Sequence, residues 1–193
     1  MKRLTPDDLL TLEAYSRERA AFRARVIAHK QARTIHLGAH LTLIFEDRLT
    51  IQYQVQEMLR IERIFEATGI HEELDAYNPL IPDGRNLKAT LLIEYADPDE
   101  RARQLALLNG IEHRIAFQVG DLPPAMAIAD EDLDRATSEK TSAVHFLRFE
   151  FSDAQVSALR AGADASIAVD HPAYAGSALL APISREALAA DFD

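Results

Sequence analysis

Several ionisable side chains of this sequence occupy positions where the hydrophobic pattern predicts buried apolar residues. A helical period of about 3.6 residues over residues 48–68 places Glu62 near the centre of one apolar arc. The arc consists of Ile51, Val55, Met58, Leu59, Ile61 and Phe65. A carboxylate buried there is unfavourable unless it is paired, protonated or bound to a metal ion. Glu62 is therefore a candidate metal ligand or proton-transfer group.

The first long helix carries a similar side chain of opposite charge. Arg19 projects into the middle of an apolar face of that helix. The face consists of Leu12, Tyr15, Phe22 and Val26. If the two helices pack together, Arg19 and Glu62 form a buried ion pair that fixes their register. A shifted helical phase is the alternative, because the apolar arc around Glu62 is wide.

Two histidines also lie on predicted core faces. Strand alternation over residues 143–151 places His145 on the apolar face of that strand. The same alternation, continued from residues 165–169, aligns His171 with the apolar face of another strand. A single histidine on an apolar face is usually a hydrogen-bonded core residue, and we expect that role for each.

The alternative interpretation joins these groups in one metal site. His145 and His171, with Glu57 or Glu62 as the carboxylate ligand, supply nitrogen and oxygen donors. Such a donor set suits Fe, Mn or Zn. No motif indicates another cofactor, since the sequence has no glycine-rich phosphate loop.

Other charged residues are expected at the surface. Glu112 and His113 precede a strand, and we expect both to be exposed. The acidic residues 130–132 and Asp134 are typical of a solvated turn. Neither group is assigned a role in chemistry.

Helix and strand signals define the elements that position these residues. Thr5 and Pro6 start a helix that continues to about Lys30, a β-hairpin follows, and a second long helix covers residues 48–68. Strands are predicted at residues 87–95, 115–119, 126–129, 143–151 and 165–169, with short helices between them and after Ser184. The fold class is α+β: two long N-terminal helices and a β-hairpin packed on a mostly antiparallel C-terminal sheet with short helices.

The chain is long enough for one domain with a substantial core. It has 193 residues and a mass of 21.5 kDa. The turn-rich segment 75–86 is the only plausible boundary, and dividing the chain there would leave two pieces with thin cores. We therefore expect a single α+β domain over residues 1–193, with a sub-division near 75–86 as the alternative.

Charge and composition exclude several classes of protein. The formal net charge is −10, which argues against binding to the phosphate backbone of nucleic acids. The sequence has no cysteine, so disulfides, thiolate nucleophiles and clusters held by its own thiolates are excluded. No targeting segment and no apolar stretch of membrane-spanning length is apparent, so we expect a cytoplasmic protein that does not bind membranes.

Five segments of the sequence carry a resemblance to a known family, at residues 23–30, 43–64, 73–84, 142–150 and 169–174. They include Tyr-Gln-Val-Gln-Glu-Met-Leu-Arg-Ile-Glu at 53–62 and Asn-Pro-Leu-Ile-Pro-Asp-Gly at 78–84. Together they resemble a bacterial family known only as domain of unknown function 3501, and the likeness extends over essentially the whole chain. The family has no established catalytic residues to transfer to this sequence.

The resemblance implies a link with redox chemistry. Genes of this family often lie beside those of a rubrerythrin and of a large iron–sulfur protein. The function expected from the resemblance is an accessory protein that binds such a redox partner in oxidative-stress or electron-transfer chemistry. A metal-dependent enzyme or metal-binding protein is the alternative, and a small-molecule sensor with a pocket between helices and sheet is a third hypothesis. A homodimer is compatible with each of them.

Overall fold

One antiparallel sheet of eight strands dominates the computed structural model, which describes residues 1–131, 135, 137 and 140–192. The strands are β1 Thr34–Leu37, β2 Leu41–Glu46, β3 Asn86–Ile93, β4 Ile115–Val119, β5 Ala125–Ala129, β6 Val144–Glu150, β7 Ala165–His171 and β8 Tyr174–Leu179. Their order across the sheet is β1-β2-β3-β6-β5-β4-β7-β8. All neighbouring pairs are antiparallel.

The sheet curls until its two edge strands, β1 and β8, come into contact. The Tyr174 hydroxyl on β8 donates a hydrogen bond to the Leu37 carbonyl on β1 at 2.6 Å and accepts one from the His40 backbone N–H at 3.2 Å. Gly38 turns the chain beside this contact with φ +72°, and a Cβ there would lie 2.5 Å from Tyr174 Oη. The contact therefore requires a glycine at the turn.

The inner face of the curled sheet encloses the main hydrophobic core. Phe45, Phe117 and Phe149 meet there with ring centroids 6.0 to 6.1 Å apart. Three short helices contribute buried leucines to the same core. They are α4 Pro98–Leu107, α5 Asp153–Arg160 and α6 Pro182–Ala189. Strand alternation explains the arrangement, because every second side chain of each strand points inward.

Three N-terminal helices form a second layer with its own apolar contacts. They are α1 Leu12–Gln31, α2 Arg48–Glu62 and α3 Ala67–Tyr77. Thr11 caps α1, and the Asp47 carboxylate caps α2 by accepting a hydrogen bond from the Thr50 N–H at 2.9 Å. The helices bury small apolar clusters separate from the core of the sheet. Among the described residues, none of the helices combines the length and apolar composition needed to cross a membrane.

A buried arginine joins the helical layer to the end of the chain. Arg33 donates two hydrogen bonds to the Asp191 carboxylate, at 2.7 and 2.6 Å. Its Nη2 also lies 3.1 Å from Asp47, the residue that caps α2. Both acids and the guanidinium are buried, and their mutual pairing offsets the cost of removing them from water.

The α+β class is confirmed, but the helices differ from the prediction. The second helix ends at Glu62 because Arg63 adopts the left-handed conformation, with φ 56°. Residues 67–77 then form α3, so the predicted loop 75–86 begins inside a helix. The first helix also starts later, at Leu12, after a separate 3₁₀ turn over Pro6–Asp8.

The sheet also differs from the prediction in two respects. The hairpin β1–β2 is hydrogen-bonded to β3 and belongs to the sheet, rather than packing on it. The strand β8 was not predicted, because after Tyr174 it consists of Ala-Gly-Ser-Ala-Leu, which lacks the β-branched and aromatic side chains that favour a strand. The last helix begins at Pro182, two residues before the predicted Ser184.

We predict that Tyr174→Phe destabilises the protein by about 1 kcal/mol, since it removes the hydrogen bonds that join β1 and β8. The measurement is urea unfolding followed by circular dichroism. Tyr53→Phe is the matched control, because Tyr53 stacks on Phe22 and its hydroxyl has no hydrogen-bond partner among the described residues. Equal losses in the two variants would contradict a role for the Tyr174 hydroxyl.

Candidate functional site

Glu57 on α2 is the centre of a polar cluster between α1 and α2. Its Oε1 accepts hydrogen bonds from Arg19 Nε at 2.7 Å and from the Tyr15 hydroxyl at 2.6 Å. Its Oε2 accepts from Arg19 Nη2 at 2.8 Å and from Arg60 Nη2 at 3.2 Å. Both carboxylate oxygens are occupied, and the two-point contact with Arg19 fixes the position of α2 on α1.

The electrostatics of this cluster follow from its hydrogen bonds. Those from Arg19, and to a smaller extent those from Tyr15 and Arg60, lower the pKa of Glu57 from 4.5 to about 2, although burial acts in the opposite direction. Burial, followed by the neighbouring Glu57 carboxylate, raises the pKa of Tyr15. Glu57 is therefore ionised at neutral pH and serves as a fixed acceptor rather than as a proton donor.

The prediction that Arg19 forms an ion pair with Glu62 is wrong, because Arg19 has a different partner. Arg19 binds Glu57, whereas Glu62 is exposed at the last position of α2. The buried positions of α2 are Thr50, Ile51, Val55, Gln56 and Leu59. The predicted arc included Ile61 and Phe65, both of which are exposed. Glu62 keeps the angular position of the apolar face, but it is the last residue of α2 and lies beyond Leu59, the last buried position, so its side chain is exposed.

His145 on β6 is fully buried and has hydrogen-bond partners at both ring nitrogens. Nδ1 lies 2.5 Å from Asp130 Oδ2. Nε2 lies 2.8 Å from Thr141 Oγ1 and 3.1 Å from the Ser142 carbonyl oxygen. The Thr141 hydroxyl in turn donates to Glu112 Oε2 at 3.1 Å. Five residues from three segments of the chain thus form one buried polar network.

The Thr141 hydroxyl links the two halves of this network. It donates its one hydrogen to Glu112, so its oxygen serves as an acceptor toward Nε2 of the His145 ring. Each side chain of the network therefore has a hydrogen-bond partner, which is the condition for a buried polar network to be stable.

The network anchors both ends of the connection between β5 and β6. Asp130 follows β5 in the left-handed conformation, with φ 51°, and its Oδ1 accepts a hydrogen bond from the Phe146 N–H at 3.1 Å. Thr141 stands at the other end of the connection and is 2 % exposed. The Asp130–His145–Thr141 order resembles that of a nucleophilic triad, but a substrate cannot reach the buried hydroxyl. We therefore assign these residues a structural role.

The structure does not bring the four predicted metal ligands together. Glu57 is bound by Arg19 at the interface of α1 and α2, Glu62 is exposed, and His145 is enclosed in the network above. The prediction that His171 lies in the core is wrong: it ends β7, where it is only partly buried and its ring contacts the carbonyl of Asn109 at 3.2 Å. Within the described residues, no group of three or more histidine and acidic side chains is arranged to hold a metal ion. Asp130 and Glu112 approach opposite nitrogens of the His145 ring, so they share no coordination point.

Sequence reasoning missed the partners of His145. Glu112 was expected at the surface but is buried, with 2 % exposure. Asp130 was assigned to a solvated turn, yet its side chain is only 10 % exposed. Asp132 and Asp134 of that predicted turn lie outside the described residues. No sequence spacing predicts that Glu112 and Asp130 are partners of His145, because these residues come from distant segments and meet only in the folded protein.

The corner between α2 and α3 presents large apolar side chains to solvent. Phe65 is 64 % exposed and Ile61 is 57 % exposed. The left-handed Arg63 reverses the chain, and the N–H groups of Arg63 and Ile64 both donate to the Leu59 carbonyl. This cap directs Ile64 back toward the helices, where it packs against buried apolar residues.

A groove with a volume of about 280 Å³ lies beside this corner. Its apolar lining consists of Pro6, Leu9, Leu10, Leu12, Leu59, Ile64, Phe65 and Ile70. The buried Gln56 side chain holds one wall in place: it accepts a hydrogen bond from the Leu10 N–H at 2.6 Å and donates one to the Leu10 carbonyl at 3.2 Å. Gln52 donates one hydrogen bond to the Asp8 carbonyl at 2.5 Å. The segment before α1 is therefore fixed to α2, and the groove lies between them.

Comparisons with known proteins agree over nearly the whole chain. A family model described as "Protein of unknown function (DUF3501)" matches residues 3–192. The chain is similar to a protein of unknown function from Burkholderia pseudomallei K96243 whose crystal structure is known, with 56% sequence identity and a TM-score of 0.95. That similarity covers 100% of both chains. No curated protein matches the sequence.

We predict that Glu57→Gln destabilises the protein by about 2 kcal/mol, because it weakens charge-assisted hydrogen bonds at a half-buried site. Arg19→Met is expected to destabilise it as well, and the double variant to lose less than the sum of the two. Urea unfolding measures all three. The control is Glu62→Gln on the same helix, for which we expect no change. Additive losses for Glu57 and Arg19 would contradict their pairing.

The same cluster predicts a dependence of stability on pH. Because folding lowers the pKa of Glu57, its contribution is complete above the ordinary value of 4.5 and is lost as the pH falls toward about 2. The difference in unfolding free energy between the parent and Glu57→Gln should therefore shrink between pH 5 and pH 2. A difference that stays constant over this range would contradict an ionised Glu57.

We predict that His145→Ala costs about 3 kcal/mol or more, because it leaves Asp130 and Glu112 buried without their shared partner. His171→Ala, at the less buried end of β7, should cost less than about 1 kcal/mol. Thermal unfolding and elemental analysis of the same purified samples measure both effects. Stoichiometric Fe, Mn or Zn that both substitutions remove would contradict the structural role and restore the metal hypothesis.

Proposed function

The chain belongs to the DUF3501 family, and we propose that it is a cytoplasmic accessory protein that binds a redox protein through the corner between α2 and α3. The single observation that carries this proposal is the exposure of Phe65 and Ile61 beside an apolar groove. Large apolar side chains next to a pocket are typical of the residues that contribute most to protein–protein binding.

The corner is rigid before any partner binds. The cap at Arg63 fixes the end of α2, and the cluster around Glu57 fixes α2 on α1. Gly69 of α3 lies close to Ile64, so that a Cβ at this glycine would be 2.7 Å from Ile64 Cγ2. A surface that is already ordered loses little conformational entropy on binding, which favours affinity.

Charged side chains of both signs surround the apolar residues. Arg63 lies beside Phe65 in the chain, and Glu62, Glu66 and Glu13 are exposed near the groove. An apolar centre with a polar rim is the usual anatomy of a protein–protein interface. The rim supports specificity and the rate of association, while the apolar centre supplies most of the affinity.

The proposed partner is a rubrerythrin-type or iron–sulfur protein, as the family resemblance implies. The chain has no cysteine with which to hold a cluster, so the redox centre would belong to the partner. The role that fits is positioning or stabilising the partner rather than carrying electrons.

The test is titration of the purified protein with a rubrerythrin and with an iron–sulfur protein from the same organism, followed by calorimetry. We expect saturable binding of one of them, weakened about tenfold or more by Phe65→Ser or Ile61→Ser. Leu179→Ser is the matched control, because Leu179 is an equally exposed apolar residue on β8, and it should leave the affinity unchanged.

Three outcomes would contradict the proposal. They are failure of both proteins to bind, full affinity of the Phe65→Ser variant, and equal weakening by Leu179→Ser. Self-association that Phe65→Ser abolishes, measured by sedimentation velocity, would instead assign the corner to a homodimer.

A further inference from the structure

A second cavity, with a volume of about 520 Å³, lies where the N-terminal segment and the turn at residues 79–83 meet β3 and β6. Its apolar wall includes Leu80 and Phe146, and its polar wall holds three basic and three acidic side chains. Cavities of roughly 300–1,000 Å³ with apolar walls and a few polar groups are typical of small-molecule sites. The cavity shares no lining residue with the groove beside the α2–α3 corner and is independent of the function proposed for it.

The acidic groups of this cavity already have donors. Glu131 accepts two hydrogen bonds from Arg148, at 2.6 and 2.7 Å. Glu150 accepts a further hydrogen bond from the same guanidinium. The Asp83 carboxylate accepts one from the Arg85 N–H at 3.1 Å. Arg148 is therefore fully engaged, and each acid on the wall has a partner.

Two basic side chains of the same wall have N–H donors without an acceptor among the described residues. Lys88 donates to the Pro79 carbonyl, and Arg3 has no hydrogen-bond or ion-pair partner in the described part of the chain. Neither cation contacts a carboxylate among the described residues. Lys88 is half-buried, and its one hydrogen-bond partner among the described residues is a neutral carbonyl, so its charge has no directly paired carboxylate. Burial lowers the pKa of its ammonium group. A ligand that offers acceptor oxygens would compensate it.

We propose that this cavity binds a small organic carboxylate with a short apolar body. The carboxylate accepts hydrogen bonds from Lys88 and Arg3, and the apolar body lies against Leu80 and Phe146. Glu131 and Glu150 are already bound by Arg148, so a cationic ligand would have to compete with that guanidinium for them. The N–H donors of the two cations thus recognise the carboxylate of the ligand, and the apolar wall recognises its hydrocarbon body.

The test is isothermal titration of the full chain with hexanoate, with hexan-1-ol as the probe that lacks the carboxylate and acetate as the probe that lacks the apolar body. We expect hexanoate to bind at a single site, and each of the other probes to bind at least about tenfold more weakly. Inorganic phosphate is a further probe, because it carries charge without an apolar body. Equal binding of hexanoate and hexan-1-ol, or tighter binding of phosphate or acetate than of hexanoate, would overturn the proposal.

Substitutions then test which cations hold the ligand. Lys88→Gln and Arg3→Gln should each weaken hexanoate binding by about threefold to tenfold, and the double variant should abolish it. Arg3 has no partner among the described residues, so its replacement tests the site even if Lys88→Gln impairs folding. Lys2→Gln removes the same charge from the exposed neighbouring position and should leave binding unchanged. Full affinity of Arg3→Gln, or equal weakening by Lys2→Gln, would overturn the assignment.

Discussion

The cost of removing charged groups from water is the constraint on which the polar interior of this protein depends. Arg33 and Asp191 are both almost fully buried, and they pair through two hydrogen bonds. Glu57 uses both of its oxygens, and both nitrogens of His145 have partners. In each case a buried ionisable side chain is paired with groups from distant segments, so the segments must meet in one geometry for that side chain to be tolerated in the interior. These polar contacts therefore hold together parts of the chain that local structure alone does not position.

Each of these polar contacts joins particular elements of the fold. Arg33 ties the start of the sheet to the cap of α2 and to the last residues of the chain. The Glu57 cluster sets α1 against α2, and the His145 network holds the two ends of the connection from β5 to β6. The ionisable side chains of these contacts are bound to one another, and Arg33 and His145 are also buried. Our proposals therefore concern two surfaces outside these polar contacts, the α2–α3 corner and the cavity at Lys88.

Much of the fold could be predicted from the sequence, whereas the candidate site could not. The predicted strand at 115–119 coincides with β4, and the one at 143–151 with β6, because alternation of apolar residues is a local property. His145 was likewise expected on a core face and is fully buried. Glu62 was misplaced because one residue, Arg63, enters the left-handed region and ends the helix. A non-glycine residue in that conformation gives no clear signal in the sequence.

By itself, the sequence determined the types of most of its elements, the inward side of strands such as β4 and β6, and the presence of ionisable groups that would need partners. It also excluded thiolate chemistry, because the chain has no cysteine. Only the tertiary structure decided that Arg19 meets Glu57, that Asp130 and Glu112 flank His145, and that β1 closes against β8. The physical reason is the distance along the chain over which each signal operates. The period of apolar residues is a local signal that extends over one helical turn or one strand. The partner of a buried charge depends instead on how whole elements pack across the molecule.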